Sequence, residues 1–399
     1  MSTAEKTRPA EARRDDSRRD EAAAPATVVV HGAERLTAVT VDACNSQLRD
    51  EDGFIGDRAR RAAFFDALER GRALWPADAL PMLGDTALDA ISKKQVDELL
   101  EKGSPAEQAL VLSAIEDYAG ELATVIRRLL RTKDWRDTRR IAIGGGLREG
   151  RFAQIAVARA QMLARAAECD IELTPIRNHP DEAGLIGAAH LAPSWMFASF
   201  DNILAVDIGG TNMRAGIVKL SLEKAPDLSR ARVKEMELWR HADEEMKRDE
   251  AIDGLIAMLK GLIAHAEEEK ISLAPFIGVG CPGKILADGG IETGAQNLPG
   301  NWESSRFNLP HALWEAIPEI GGRETVVVLH NDAVVQGLSE APFMQDVEHW
   351  GVLTIGTGLG NARFTNRTPP KEDASGASKS NGKDGEKERG KSGNKSGGK

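Results

Sequence analysis

Cysteine is scarce in this 399-residue chain: Cys44, Cys169 and Cys281 stand far apart and form no CxxC pair. That spacing argues against a disulfide framework and a structural zinc site, and it fits a reducing cytosol. Long apolar runs are missing as well. No stretch approaches the roughly 20 residues that a membrane-spanning helix needs, and the charged, Ala-rich N-terminus has no apolar signal core. Basic residues are not in excess either, since 52 Lys and Arg stand against 62 Asp and Glu for a net charge of −10. Neither nucleic acid nor a membrane is therefore expected as the main partner. A cytoplasmic protein is expected.

What is present is ordinary for a globular chain. Hydrophobic residues make up 41%, enough at this length for about two domains and a sizeable core. The ends differ. Residues 1–26 mix Arg, Asp, Glu and Ala and are expected to be disordered. Residues 368–399 contain no Leu, Ile, Val or Phe and read as a solvated tail.

Between them, short strands are expected over residues 27–30 and 36–41. Amphipathic helices follow over 57–73 and 105–131. RRIAIGGG reads as a strand ending in Gly144, Gly145 and Gly146, followed by a helix over 151–167, a strand over 171–176 and a helix over 181–191. Farther on, a hairpin over 203–218 and a strand over 233–239 lead to a long helix over 249–269. PFIGVGCPG reads as strand then turn. TVVVLHND delivers Asn331 and Asp332 at a strand end, before a helix over 333–340. Strands that end in functional groups and run into helices give an α/β architecture with its sites at the strand ends.

The richest segment is ILAVDIGGTNMRAG, residues 203–216, with a shorter echo in VLTIGTGLGNAR, residues 352–363. Each is an apolar run, a sharp Gly/Thr turn and a second run leading away. Gly209, Gly210 and Thr211 in the first turn, and Gly356, Thr357 and Gly358 with Gly360 in the second, let backbone N–H groups close on an anion. Asp207, at the end of its strand, is placed to hold a hydrated Mg²⁺ beside such phosphates. The alternative is a pair of hairpins whose glycines serve turn geometry alone.

The set DIGGTNxRxG, GxGCPG, QNLPGNW, HNDAVVQGLSE and LTIGTGLGN resembles the ROK family of bacterial glucokinases and other sugar kinases (repressors, open reading frames, kinases). The resemblance covers roughly residues 104–192 and 202–364. It implies the actin-like superfamily fold: α/β, two ribonuclease-H-like lobes around an ATP cleft. It also implies ATP and Mg²⁺ as cofactors and a small-molecule sugar as substrate. The block order departs from the family's. The segment IAIGGGLREGRF…DEAGLIGAAHL, which closes ordinary members, here precedes the opening hairpin, so the chain reads as circularly permuted. Residues 27–192 are then the larger part of the second, nucleotide lobe. Residues 193–346 are the first lobe with phosphate hairpin and sugar site, and 347–367 are the first hairpin of the second lobe. A fusion of two incomplete pieces is the other explanation.

By the same resemblance, Gly144, Gly145 and Gly146 pack under the adenosine; read alone, GGGLREG could pass as a degenerate dinucleotide loop without the GxGxxG spacing. Asp332 is the implied general base, although an Asp there could equally cap the next helix. Asn297 and Asn331 match sugar-hydroxyl ligands, and an amide can both donate and accept. Arg214 reads as structural. The family's cysteine-clustered zinc motif, with its Glu and His, is missing, so no zinc is expected. Residues 41–58 are candidates to fill that space, through Asn45, Asp50, Asp52 and Asp57 or merely as a solvated acidic loop. An ATP-dependent sugar kinase is the expected function. A non-catalytic nucleotide- or sugar-binding regulator is the alternative, and an ATPase with a protein client is a third. A homodimer stays open, since the sequence does not reveal the oligomeric state.

Overall fold

Residue types with branched or small apolar side chains dominate the strands that end at the predicted turns, and the strands form where those runs lie. The computed structural model describes residues 29–84, 86–87, 90–146 and 150–367. Both predicted tails lie outside the described residues. In chain order the strands of the two main sheets are β1 (Val39–Cys44), β2 (Arg140–Gly145), β3 (Glu172–Pro175), β4 (Asn202–Ile208) and β5 (Met213–Lys219). They continue as β6 (Arg232–Trp239), β7 (Leu273–Cys281), β8 (Val326–Asn331), β9 (His349–Ile355) and β10 (Leu359–Asn366). The helices are α1 (Arg61–Arg72), α2 (Lys93–Lys102), α3 (Pro105–Leu130), α4 (Arg151–Ala166), α5 (Pro180–Ala188), α6 (Arg248–Glu268), α7 (Leu309–Ala316) and α8 (Asp332–Leu338).

One sheet has the order β1-β10-β9-β2-β3 and the other β8-β7-β4-β5-β6. Both follow one plan. In the second, β8, β7 and β4 are parallel, and β4, β5 and β6 continue as an antiparallel meander. In the first, β3, β2 and β9 are parallel, and β9, β10 and β1 continue antiparallel. Central β4 is buried along its whole length, which accounts for the apolar run over residues 203–206. The second sheet is visited in a simple order: centre, meander, then the parallel pair. The first begins at its antiparallel edge, β1, and ends in β10 beside it. There Val39 pairs with Asn366, and the Arg367 N–H donates to the Ala38 carbonyl at 2.9 Å.

Helices α5 and α8 share one apolar cluster with both sheets. It gathers Leu185, Val334 and Leu338 with Ala205 and Phe276 on one side and Val352 and Phe364 on the other. Gly187 makes this crossing close, because a Cβ there would meet the Val335 carbonyl. Helices α1 to α4 pack with Ile141, Ile143 and Leu353, and α6 and α7 pack with Leu204, Val206 and Ile277. The described residues make one compact unit, and no helix among them is long and apolar enough to cross a membrane.

Some boundaries differ from expectation. Val29 and Val30 are not strand, and Thr27 and Val28 lie outside the described residues; a turn through Gly32, at φ +57°, ends the extended run. The strand expected over 36–41 runs instead from Val39 to Cys44, because Leu36 N–H turns back onto the Val39 carbonyl. The helix expected over 57–73 is a 3₁₀ turn, Ile55–Ala59, then α1, separated by extended Arg60 at ψ 162°.

Candidate functional site

Two short turns close the β4–β5 and β9–β10 hairpins. In the first, Gly209 N–H donates to the Asn212 carbonyl; in the second, Gly356 N–H donates to the Gly358 carbonyl, both at 2.9 Å. The turns meet. Thr211 Oγ1 and Thr357 Oγ1 are 2.9 Å apart and share a hydrogen bond across 146 residues of chain. Each turn is braced from behind: His241 Nε2 donates to the Gly209 carbonyl at 2.8 Å, and Arg61 N–H donates to the Gly356 carbonyl at 3.1 Å. A Cβ at Gly356 or Gly358 would meet nothing, so both face open space. That space is a cavity of about 1530 Å³, lined by residues 209–212 and 356–360 together with Gly145, Gly146, Asn297 and Asp332.

The three glycines after Ile143 do different things. Gly144 packs against Ile176, and is not on the cavity wall. Gly145, opposite Ile355 in the parallel ladder, has φ +74°, and a Cβ there would collide with the Ile355 carbonyl. Only glycine fits. Gly146 follows on the wall, with the Lys93 stem beside it.

Asp332 opens α8 from the end of β8. The helix is capped by Asn331, whose Oδ1 accepts from Ala333 N–H at 3.0 Å and Val334 N–H at 3.2 Å, while its Nδ2 donates to the Gly283 carbonyl at 2.9 Å. Asn331 is thus buried and committed to the scaffold, and one amide hydrogen is left for any other partner. His330 supports it in turn: Nδ1 accepts Asn331 N–H at 2.7 Å and Nε2 donates to the Ala33 carbonyl at 3.1 Å. Burial pushes the His330 pKa down to about 4, so the ring is neutral and its tautomer follows from these two bonds. Asp332 itself is half-buried on the cavity wall. Burial first, and the nearby Asp207 carboxylate second, raise its pKa to about 7 against hydrogen bonds that favour the anion.

Asp207 lies just behind the wall. Its Oδ2 accepts from Arg214 Nη1 at 3.3 Å, and Arg214 also grips Asp181 through Nε at 2.9 Å and Nη2 at 2.6 Å. Burial raises the Asp207 pKa, with Arg214 opposing. Its Oδ1 has no partner in the structure. Gly184 of α5 makes room for this carboxylate, since a Cβ there would sit 2.5 Å from Asp207 Cγ. Among the described residues no group of three or more His, Cys, Asp and Glu side chains is arranged to share a metal ion.

Beside the first turn Asn297 is exposed and lies against Gly210. Of the four polar candidates in residues 41–58, Asn45 and Asp57 line the cavity, whereas Asp50 and Asp52 are held by Arg58 at 2.7 and 2.8 Å. Asn45 takes φ +51°. Buried Asn361 clamps it, accepting Asn45 N–H on its carbonyl at 2.8 Å and Ser46 N–H on Oδ1 at 2.9 Å. The sequence reading gave no role to Asn361 or His241, although Asn361 closes the GLGN motif; His330, in HNDAVVQGLSE, reads from the sequence as a packing or capping residue.

No protein-family model and no curated protein matches the chain. Solved structures similar to it include a proposed sugar kinase from Cytophaga hutchinsonii (19% identity, 41% of this chain and 48% of that one, TM-score 0.32). A proposed N-acetylmannosamine kinase from Listeria monocytogenes is similar at 26% identity over 41% of this chain and 47% of that one, TM-score 0.30. The ROK hexokinase from Thermus thermophilus is similar at 21% identity over 40% and 45%, TM-score 0.27. The chain thus spans about half the length of each of these three structures.

Proposed function

We propose that this chain is an ATP- and Mg²⁺-dependent sugar kinase of the ROK type, built from two ribonuclease-H-like lobes in permuted order. The observation that carries the reading is the meeting of two Gly/Thr turns, from two sheets of one plan, on a cavity that also exposes Asp332. Backbone amides of Gly209 to Thr211 and of Gly356 to Gly358 hold the phosphates, and Gly145 and Gly146 allow the adenosine to approach. Permutation is supported by the parallel pairing of β9 with β2, far apart in the chain, and by the adjacency of Arg367 and Ala38.

In the proposed step an acceptor hydroxyl oxygen bonds to the γ-phosphorus while the bond from that phosphorus to the β–γ bridging oxygen breaks. The electron pair leaves on ADP, and the hydroxyl proton goes to Asp332. A carboxylate with a pKa of about 7 is well matched to accept it near neutrality. Asn297 holds the acceptor, and Asn331 acts by positioning Asp332. Mg²⁺, when bound, neutralises phosphate charge. Asp207 suits it through water, because its Oδ1 is unpartnered while the side chain stays off the cavity wall. The test is coupled ADP release over hexoses, amino sugars and polyols. Sugar-dependent release is expected with at least one of them. Nucleotide binding without turnover on any would point to a regulator instead.

A further inference from the structure

Arg60 is held between two fixed points. The carbonyl of the preceding residue, Ala59, accepts the hydroxyl of buried Tyr118 at 2.5 Å, and the amide of the next, Arg61, donates to Gly356 at 3.1 Å. The residue therefore stands one peptide unit from the second Gly/Thr turn, and its side chain lines the cavity. The guanidinium is poorly matched by the protein around it. Its ion-pair contact, with Asp57, is 3.9 Å long, and its enclosed Nε has no hydrogen-bond partner in the structure. A buried N–H left unmet is costly.

Arg214, Arg240, Arg72 and Arg61 on the same wall are engaged. Arg214 is gripped by Asp181 and Asp207, Arg240 pairs with Asp243 at 2.9 Å, and Arg72 donates to the Thr86 carbonyl at 2.7 Å. Arg61 lies over the Phe65 ring, 5.5 Å from its centroid. Arg60 offers a forked donor beside a turn whose two glycines face open space. Planar guanidinium donors match phosphate oxygens, and such bonds gain strength from both charges.

We propose that Arg60 binds the terminal phosphates of a nucleoside triphosphate seated on the Gly356–Thr357–Gly358 turn. This rests on the nucleotide-cleft reading above. There Arg60 neutralises charge that grows on the leaving diphosphate, so it contributes to transfer as well as to binding.

Calorimetric titration of the full chain with ATP, ADP and AMP tests the assignment. Arg60→Gln keeps much of the side-chain stem and removes the charge, and Arg60→Lys keeps the charge without the fork. Arg60→Gln is expected to bind ATP at least about tenfold more weakly, the loss of one charge-assisted hydrogen bond or more. ADP should weaken less and AMP not at all, with Arg60→Lys falling between wild type and Arg60→Gln for ATP. Unchanged ATP affinity in both variants, or an equal loss for AMP, would overturn the assignment and leave the cleft reading standing. If wild-type protein bound none of the three nucleotides, the cleft reading would fall and this one with it.

Discussion

Asp332 is pulled in two directions by its neighbours. Burial and Asp207 hold its proton on, while its own N–H, that of Ala333 and the Asn331 side chain favour the anion. With a pKa of about 7, turnover is expected to rise with pH along a limb centred near that value. Asp332→Asn should lose at least about 100-fold in turnover, the scale of a missing general base. A kcat/KM profile from pH 5 to 9 on both proteins checks this, and near-normal turnover in the variant would remove Asp332 from the base role. The same shift bears on stability. Its folded pKa lies above the ordinary aspartate value of 3.8, so the native state holds this proton more tightly than the unfolded chain. The contribution is full below about pH 4 and is lost as pH rises through about 7. Asp332→Asn, with no charge to bury, should therefore melt above wild type at pH 8 and level with it near pH 4. Thermal scans at the two pH values decide that. In the sequence, HND leaves undecided which side chain caps the helix, and one residue of register separates cap from base. The geometry gives the cap to Asn331 and leaves Asp332 on the cavity wall.

At the scale of elements, the readable parts were those with one dominant local cause. The hairpin around Gly209, α3 with its Ser104–Glu107 capping box, and α6 all fall within a residue or so of their expected spans. Helix α2 went unread despite the capping box at Ser92 and Gln95, because ten residues with two buried apolar side chains give little periodic signal. Helix α7 is shorter still, at eight residues, with Pro310 as its second. What no local pattern discloses is why a glycine stands where it does. Gly184 and Gly356 look alike as letters, yet a methyl group at the first collides with Asp207 and at the second meets nothing. Gly184→Ala is expected to cost about 1–3 kcal/mol, as overpacking does. Gly356→Ala should unfold like wild type and instead weaken ATP binding, because its methyl group protrudes into the cavity. Chemical denaturation and nucleotide titration of both variants separate the two. Equal stability loss at both positions would contradict the open space drawn at Gly356.

For the whole molecule, the permuted reading makes a demand on covalent order alone. Ten strands in two sheets of one plan need each strand beside its partners, and they do not need the chain to visit them in one sequence. The permuted reading puts the break after the second hairpin, near residues 361–365, and the segments that would be rejoined are close: Arg367 bonds to Ala38, and Val39 pairs with Asn366. The sequence could not show what precedes β1. His31 Nδ1 accepts Leu329 N–H at 3.1 Å, and Gly32 N–H donates to the Leu329 carbonyl at 2.9 Å, so this segment lies along β8 before entering the first sheet. A chain restored to family order must therefore keep it. We expect that joining Arg367 to Val29 through a flexible Gly/Ser linker, without residues 1–28 and 368–399, will give a folded protein. The new ends should fall between Ala198 and Ser199, which are exposed, so that buried Phe197 stays packed on Phe276, 5.1 Å between ring centroids. Circular dichroism, a cooperative melt and ATP affinity within about threefold of wild type, a span of roughly 0.7 kcal/mol, are the expected results. A chain that folds but no longer binds ATP would mean that the native order is itself part of the site. One that does not fold, while residues 29–367 in their own order do, would show that the connection from α5 to β4 cannot be opened at residues 198–199.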